Sequence, residues 1–460
     1  MSDYQKYFWR RSSPQLSSKR LSKTQLDEHG LPTESYSPTG SNSPHLSNSS
    51  QQFKDYLSAT DCDWNDDLDE FDPNDIEKLK RNTLTSLSSI DIPMMSFGNN
   101  SNLSSPIEST KHKSIDEKTA NEIARINNDI VRFKKFEALL KEPNVDIVKL
   151  KKLSWSGIPE ECRPEAWQIL MGYLPCNSNE REYVLKTKRN EYVKLVKETF
   201  KNGTSRLNQS IYHQIHIDVP RTNPDIPLYQ NPIIQESLEK ILYCWAIQHP
   251  TIGYVQGIND LITPFYHVFL SKYIPLKSIS RFDFYSFPKE QLTIVEADSF
   301  WCLTILLDEI QDNYIHAQPG IVRQVEKMNE LTNRIDEPLY NHLKEENVNF
   351  LQFAFRWMNC LLMREISLPN IIRMWDTYLC EANGFSEFHT YVCAALLEKW
   401  SKELITQEFQ NIIIFLQHIP TKNWTDNDIE LLLSEAYMYK SLFHDSPNHL
   451  NHITCTKIKI

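Results

Sequence analysis

The feature that most constrains the fold is a helical spacing of apolar residues that repeats from about residue 145 to 453. In one clear case, Pro232 can begin a helix, Ile234 and Leu238 share its apolar face, and Pro250 follows its end. The sequence shows no sustained alternation typical of strands and no fixed-period repeat that would indicate a solenoid. It therefore predicts an all-α fold of roughly fifteen helices in two lobes, with a domain at 145–445.

The first part of the chain has a different composition. Residues 1–113 are rich in Ser, Asn, Pro and Thr, and such a segment buries too little apolar area to offset its ordering entropy. We predict a disordered tail, whose Ser-Pro sites suggest phosphorylation. Its acidic-aromatic stretch, residues 61–72, is either a solvated linker, which we favour, or a motif that orders on a partner. Residues 446–460 are predicted to form a C-terminal tail.

Residues 114–142 form a predicted amphipathic helix between the tail and the domain. Ser114 to Glu117 match a capping box, and apolar residues such as Ile126 and Ile130 then recur at helical steps until Pro143. Lysines lie on the opposite face of this helix. We favour a helix that docks on the following domain over one that lies on a membrane surface. If the apolar face of this helix is exposed, the protein could dimerise through it. The sequence does not indicate the oligomeric state.

Charge and cysteine usage limit the class of partner and the compartment. The net charge is −11, which disfavours nucleic acid as a partner. The nine cysteines include no C-x-x-C pair, as expected of buried thiols in a reducing compartment. The sequence contains neither a signal peptide nor an apolar run of about 18 residues. We expect a cytoplasmic protein whose membrane contact, if any, is peripheral.

The chain also lacks the sequence patterns of several catalytic classes. It has no G-x-x-x-x-G-K-[ST] or G-x-G-x-x-G phosphate loop, no H-E-x-x-H metal motif and no G-x-S-x-G nucleophile elbow. We therefore expect no cofactor and no metal of its own.

Two short polar segments stand out against this helical background. Arg221 lies between two prolines, outside any regular helix, and Gln256 lies between Gly253 and Gly257. A planar charged fork and a neutral amide on loops that flank one predicted helix suit a phosphoryl-transfer transition state. Taken alone, Arg221 could equally be a surface ion-pair residue and Gln256 a hydrogen-bonding residue at a helix end.

The flanks of these residues resemble the TBC-domain family, whose members activate GTP hydrolysis by Rab-type small GTPases. The family motifs I-x-x-D-x-x-R and Y-x-Q-G both occur. The matching residues are Ile215, Asp218 and Arg221 in the first motif, and Tyr254, Gln256 and Gly257 in the second. The similarity extends over about residues 157–445. It includes Gly157-Ile-Pro159 with Arg163 and Trp167, Arg373-Met-Trp-Asp376, and stretches such as Phe353–Glu365 that are similar to a Golgi-acting yeast member.

The resemblance implies a dual-finger mechanism. Arg221 would stabilise charge in the transition state and Gln256 would orient the attacking water, while GTP and Mg²⁺ belong to the partner GTPase. The chain would not be an enzyme itself, but would supply catalytic residues in trans to a GTP-bound Rab and so regulate vesicle traffic, at Golgi membranes by resemblance. A non-catalytic Rab-binding module and a helical scaffold are the alternatives. The preferred Rab is not readable from the sequence.

Residues near the two fingers have expected supporting roles. Asp218 is near enough in sequence to steer the Arg221 guanidinium, and Gly257 would let the backbone pass close to the partner. Tyr254 would contribute main-chain contacts or packing. Asp260 would cap the following helix or hydrogen-bond a neighbouring loop.

Residues further from the fingers have more structural interpretations. Arg163 and Trp167 are one helical turn apart, which suggests either a stacked pair or a direct contact with the GTPase. Trp375 and Asp376 are expected in the core, Asp376 in a buried ion pair.

Overall fold

The structure is a computed structural model that describes residues 117–279 and 281–444, with side chains described from residue 127 onward except at 276 and 277. The predicted N-terminal tail, the Ser114 cap and the predicted C-terminal tail lie outside these residues. The regular structure of the described residues is helical, apart from one isolated bridge between Asn144 and Asn177. The predicted all-α class is confirmed.

The α-helices are numbered here in chain order. They are α1 (Glu117–Leu140), α2 (Ile147–Ser154), α3 (Arg163–Leu170), α4 (Ser178–Thr199), α5 (Gln209–Asp218), α6 (Pro232–Gln248), α7 (Ile258–Ser271), α8 (Leu276–Ile279), α9 (Lys289–Glu309), α10 (Pro319–Ile335), α11 (Glu337–Glu345), α12 (Leu351–Asn359), α13 (Leu368–Tyr378), α14 (His389–Glu398), α15 (Ser401–Leu404), α16 (Phe409–Gln417) and α17 (Asp426–Phe443). Among the described residues of the predicted domain, α2–α17 are 16 helices, of which α8 and α15 have only 4 residues each, in agreement with the roughly fifteen that were expected.

Helix α6 shows how local sequence determines these bounds. The Asn231 side chain accepts a hydrogen bond from the Ile233 N–H, and Pro232 occupies the first helical turn, where no backbone donor is needed. Ile234 and Leu238 are fully buried, as their spacing predicts. The helix ends at Gln248, two residues before Pro250.

The described helices pack as two lobes. In the first lobe α9 contacts α4, α6 and α7, and α5 lies against α6; in the second lobe α14 contacts α10 and α17, while α10 contacts α11 and α12. Helix α13 contacts both α7 and α17 and so joins the lobes. At this junction Trp375 of α13 packs against Phe265 of α7 and Trp167 of α3, with ring centroids 5.1 and 6.0 Å apart. The predicted two-lobe architecture is confirmed.

Asp376 is a buried hub beside this aromatic cluster. Its carboxylate, with no exposed side-chain area, accepts hydrogen bonds from Ile158 N at 2.9 Å, Arg163 Nε at 3.1 Å and Trp167 Nε1 at 2.7 Å. The expected core position of Trp375 and the buried ion pair of Asp376 are confirmed. Arg163 and Trp167, which were expected either to stack or to contact the GTPase, both donate to the Asp376 carboxylate. Trp167 is fully buried, which supports the structural interpretation of this residue.

Helix α1 docks on the domain through its C-terminal end. Phe136 is fully buried, and Arg132 Nη2 donates to the Leu153 carbonyl at 3.0 Å and to the Gly157 carbonyl. The preference for a docking helix is confirmed for this end. Ile130, however, was expected on the apolar face and is 46% exposed. Within the described residues, no helix has the length and apolar character needed to cross a membrane.

Candidate functional site

Arg221 lies at the end of a tight turn that follows α5. The helix ends at Asp218, and Val219–Arg221 form a single 3₁₀ turn. Fully buried Val219 anchors the turn, and the buried Thr222 hydroxyl donates to the Asp218 carbonyl at 3.0 Å. The Arg221 side chain is exposed. A rigid turn therefore presents a solvent-accessible guanidinium.

Gln256 lies in the loop between α6 and α7. It is half-buried, and the next residue, Gly257, has a φ of +108° directly before the first turn of α7. A Cβ at position 257 would lie 2.5 Å from Asn359 Nδ2 and 3.1 Å from Cys360 Sγ. Glycine is thus required by the backbone conformation and by close packing against the second lobe within this chain. This internal contact adds to the expected approach of a partner, which stays a prediction.

Asn259, in the first turn of α7, ties the two loops together. Its Nδ2 donates to Thr222 Oγ1 at 2.9 Å, and its Oδ1 accepts from Gly257 N at 2.9 Å. The side chain is 2% exposed, so these bonds form away from competing water. The residues after Arg221 and after Gln256 are therefore fixed relative to each other. The sequence prediction assigned no role to Asn259, although a polar residue among the apolar residues of α7 was a visible signal.

Asp218 acts on the site through Tyr254. The Tyr254 hydroxyl donates to Asp218 Oδ2 at 3.0 Å, and both side chains are buried. Burial raises the pKa of Asp218, an effect that the Tyr254 hydrogen bond opposes. Burial, together with the Asp218 charge, also holds the pKa of Tyr254 well above its usual value. The Arg221 charge lowers the pKa of Asp218, although Arg221 forms no ion pair or side-chain hydrogen bond within the described residues. That Asp218 steers the Arg221 guanidinium therefore stays a prediction. The expected packing role of Tyr254 is confirmed.

Asp260 connects the site to the second lobe. Its Oδ2 accepts from Arg364 Nε at 3.0 Å, and Asp260 is 4% exposed. Burial raises the pKa of Asp260, while the Arg364 charge lowers it. Of the two expected roles, the hydrogen bond to a neighbouring segment is confirmed, and the cap position of α7 belongs to Gly257.

The sequence model of the Rab-GTPase-TBC domain matches residues 160–405, more than half of the chain and the whole of this site. The chain belongs to the Rab-GTPase-TBC domain family. It is 51% identical over 409 residues to the GTPase-activating protein gyp1 of Schizosaccharomyces pombe, covering 87% of this chain and 79% of that protein.

Two further comparisons agree with this assignment. Human TBC1 domain family member 22B is 51% identical over 319 residues, which cover 69% of this chain and 63% of that protein, so the chain spans under two thirds of this relative's length. The crystal structure of the Ypt/Rab-GAP domain of Gyp1p is 53% identical with a TM-score of 0.66 and covers 68% of this chain and 99% of that one.

Within residues 127–279 and 281–444, no group of three His, Cys, Asp or Glu side chains is arranged to hold a metal ion. The site offers an exposed guanidinium and a half-buried amide on loops that Asn259 joins. These groups can stabilise negative charge and orient a polar ligand.

Proposed function

We propose that this chain is a GTPase-activating protein for a Rab-type small GTPase in its GTP-bound state. The observation that carries the proposal is the pair of bonded loops, which present Arg221 and Gln256 from one framework. The family assignment and the printed name of the S. pombe relative, a GTPase-activating protein, support it.

In the proposed mechanism both groups act on a nucleotide held by the partner. The Arg221 guanidinium neutralises charge that develops on the transferred phosphoryl group, because its planar fork binds two oxygens at once. The Gln256 carboxamide accepts a hydrogen bond from the attacking water and donates a second one, which an ionised carboxylate cannot do. GTP and Mg²⁺ come with the GTPase, so the chain supplies side chains and no cofactor of its own.

The first test is single-turnover GTP hydrolysis by a panel of purified Rab proteins, with and without the full chain. At least one Rab should hydrolyse GTP roughly 10²-fold faster or more. Arg221→Ala and Arg221→Lys should both lose most of this acceleration, since lysine lacks the planar fork. Arg206→Lys is the matched control, because Arg206 is also exposed at the end of a 3₁₀ turn but lies outside the site.

Gln256→Ala should lower kcat more than it lowers affinity for the GTPase, and its combination with Arg221→Ala should be less damaging than the product of the single losses. Normal activity in Arg221→Lys would remove Arg221 from the finger role. A Rab that binds the chain tightly without faster hydrolysis would instead favour a non-catalytic binding module.

We also propose a cellular setting for this activity. The resemblance to a Golgi-acting family member suggests peripheral association with Golgi membranes and a role in vesicle traffic. A fluorescent fusion of the full chain should colocalise with a Golgi marker. Uniform cytoplasmic fluorescence would contradict this location without affecting the GTPase assay.

A further inference from the structure

Asn359, the last residue of α12, supports the Gln256 loop from the second lobe. Its Nδ2 donates to the Gln256 carbonyl at 3.0 Å, and its own carbonyl accepts from the Tyr314 hydroxyl at 2.7 Å. Asn359 is 7% exposed and Tyr314 is 2% exposed. A buried chain of hydrogen bonds therefore leads from the core of the second lobe to the backbone of residue 256.

The peptide unit between Gln256 and Gly257 is held at both of its polar atoms. Asn359 binds its carbonyl, and Asn259 accepts from its N–H at 2.9 Å. Because the Gln256 side chain leaves the Cα next to this peptide, fixing the plane of the peptide limits the directions that the side chain can take. The Asn259 bond also joins the Arg221 loop, whereas the Asn359 bond acts on Gln256 alone.

The segment that presents Asn359 is costly to form. Leu361 and Leu362 have φ values of +50° and +60°, in the left-handed region that side chains disfavour, at about 1–3 kcal/mol each. Asn359 Oδ1 is buried and has no hydrogen-bond partner within the described residues. Stability alone would favour an apolar residue in a relaxed turn. Such a residue would leave the Gln256 carbonyl without this donor.

We propose that Asn359 is a positioning residue for Gln256: it fixes the carbonyl of residue 256 so that the carboxamide is aimed at the attacking water before the GTPase binds. This inference rests on the proposed GTPase-activating function. In this role Asn359, which is 7% exposed, acts through the backbone carbonyl of Gln256 and not on the reacting atoms.

The test is a double-mutant cycle between Asn359→Asp and Gln256→Ala, measured as Rab GTP hydrolysis with the full chain. Asparagine and aspartate have the same shape, but a carboxylate places an acceptor against the Gln256 carbonyl and repels it. Asn359→Asp should lower kcat about 10-fold or more, because a small misplacement of a catalytic group strongly reduces the rate. It should change KM by less than about 3-fold. In the Gln256→Ala background the same substitution should lower kcat by less than about 2-fold.

Asn370→Asp is the matched control for buried charge and lost stability. Asn370 is 4% exposed, and its Nδ2 donates to the Trp424 carbonyl at 3.0 Å, away from the two loops. Urea unfolding should show similar losses for the two aspartate variants, while Asn370→Asp keeps its kcat. If Asn359→Asp does not fold, Tyr314→Phe tests the positioning role instead. It removes the hydrogen bond from the Tyr314 hydroxyl to the Asn359 carbonyl and keeps the aromatic ring. We expect it to lower kcat roughly 3-fold at unchanged KM.

The possible failures can be told apart. A wild-type chain that accelerates no Rab, or a Gln256→Ala variant that behaves as wild type, would overturn the proposed mechanism and this inference together. An active wild type and an impaired Gln256→Ala, with normal kcat in a folded Asn359→Asp or in Tyr314→Phe, would overturn the positioning role alone. Full additivity in the cycle would do the same, since it would show that Asn359 acts independently of Gln256.

Discussion

At the scale of single residues, Gly257 serves the site through the absence of a side chain. Its φ of +108° is strained for any other residue, and a Cβ would come within 2.5 Å of Asn359 Nδ2. Gly257→Ala should therefore displace either the Gln256 loop or Asn359. We expect a loss of roughly 2 kcal/mol or more in the free energy of unfolding, from left-handed strain together with overpacking. Urea denaturation would measure the loss.

Gly253→Ala is the comparison for that substitution. Gly253 also has a positive φ, of +67°, but a Cβ there would meet no heavy atom within 4 Å. Its cost should be limited to backbone strain, about 1 kcal/mol. Equal losses of stability in the two variants would contradict the packing role of Gly257 against Asn359.

Arg221 and Gln256 show what the sequence could predict about single residues. The motifs identified Arg221 and Gln256 because each occurs within a short, recognisable stretch of chain. Asn359 was missed because its contact joins positions 103 residues apart, and it depends on how the two lobes meet. Proximity in sequence suggested that Asp218 steers Arg221, but its hydrogen bond to the Tyr254 hydroxyl, 36 residues further along the chain, could not be predicted in that way.

At the scale of helices, the spacing of apolar residues predicted where a helix forms better than it predicted which of its residues are buried. Helix α6 has the caps and the apolar face expected from its sequence. In α1 the same reasoning placed Ile130 and Leu140 on the apolar face. Leu140 is buried, together with Phe136 and Leu139, but Ile130 is 46% exposed. A hydrophobic stripe defines one side of a helix, but the position of the neighbouring α2 determines which part of that side is covered.

His389 makes a prediction about the junction of three helices. It lies in α14, its Nε2 is 2.9 Å from the Trp357 carbonyl in α12, and its Nδ1 is 2.9 Å from the Tyr378 hydroxyl in α13. Burial lowers the pKa of His389 from 6.5 to about 4. The folded state thus resists protonation that the unfolded chain accepts. The stability contributed by neutral His389 is present above pH 6.5 and is lost as the pH falls toward 4.

Unfolding free energies between pH 7 and pH 4.5 would check this dependence. The buried histidine should contribute a loss of up to about 1.4 kcal/mol per pH unit, and His389→Gln should make the profile shallower. His267, whose pKa burial also lowers to about 4, should contribute in the same direction. Profiles of equal slope in wild type and His389→Gln would show that His389 does not titrate differently on folding.

At the scale of the whole molecule, the site is assembled from both lobes. The two finger loops belong to the first lobe. From the second lobe, Asn359 binds the Gln256 loop and Arg364 binds Asp260 in the first turn of α7. The sequence predicted two lobes of helices, but composition and spacing contain no information on which loop meets which helix end. That arrangement follows from the aromatic junction around Trp375 and from the buried Asp376 hub.

The way the site is assembled predicts which parts of the chain are required for activity in solution. The contacts that hold the two loops join residues between Asp218 and Arg364, and the docked end of α1 begins at Arg132. Removal of residues 1–113 should therefore leave Rab GTP hydrolysis in solution within about 2-fold of the full chain, because it removes none of these contacts.

Removal of residues 1–145 provides the contrast. It also removes α1 and with it the fully buried Phe136, so the midpoint of urea unfolding should fall even where the site chemistry is kept. Single-turnover hydrolysis and urea denaturation on all three proteins separate the two effects. If the shorter deletion abolished acceleration while its unfolding midpoint stayed unchanged, the N-terminal tail would belong to the catalytic unit, since no loss of folding could then account for the lost activity.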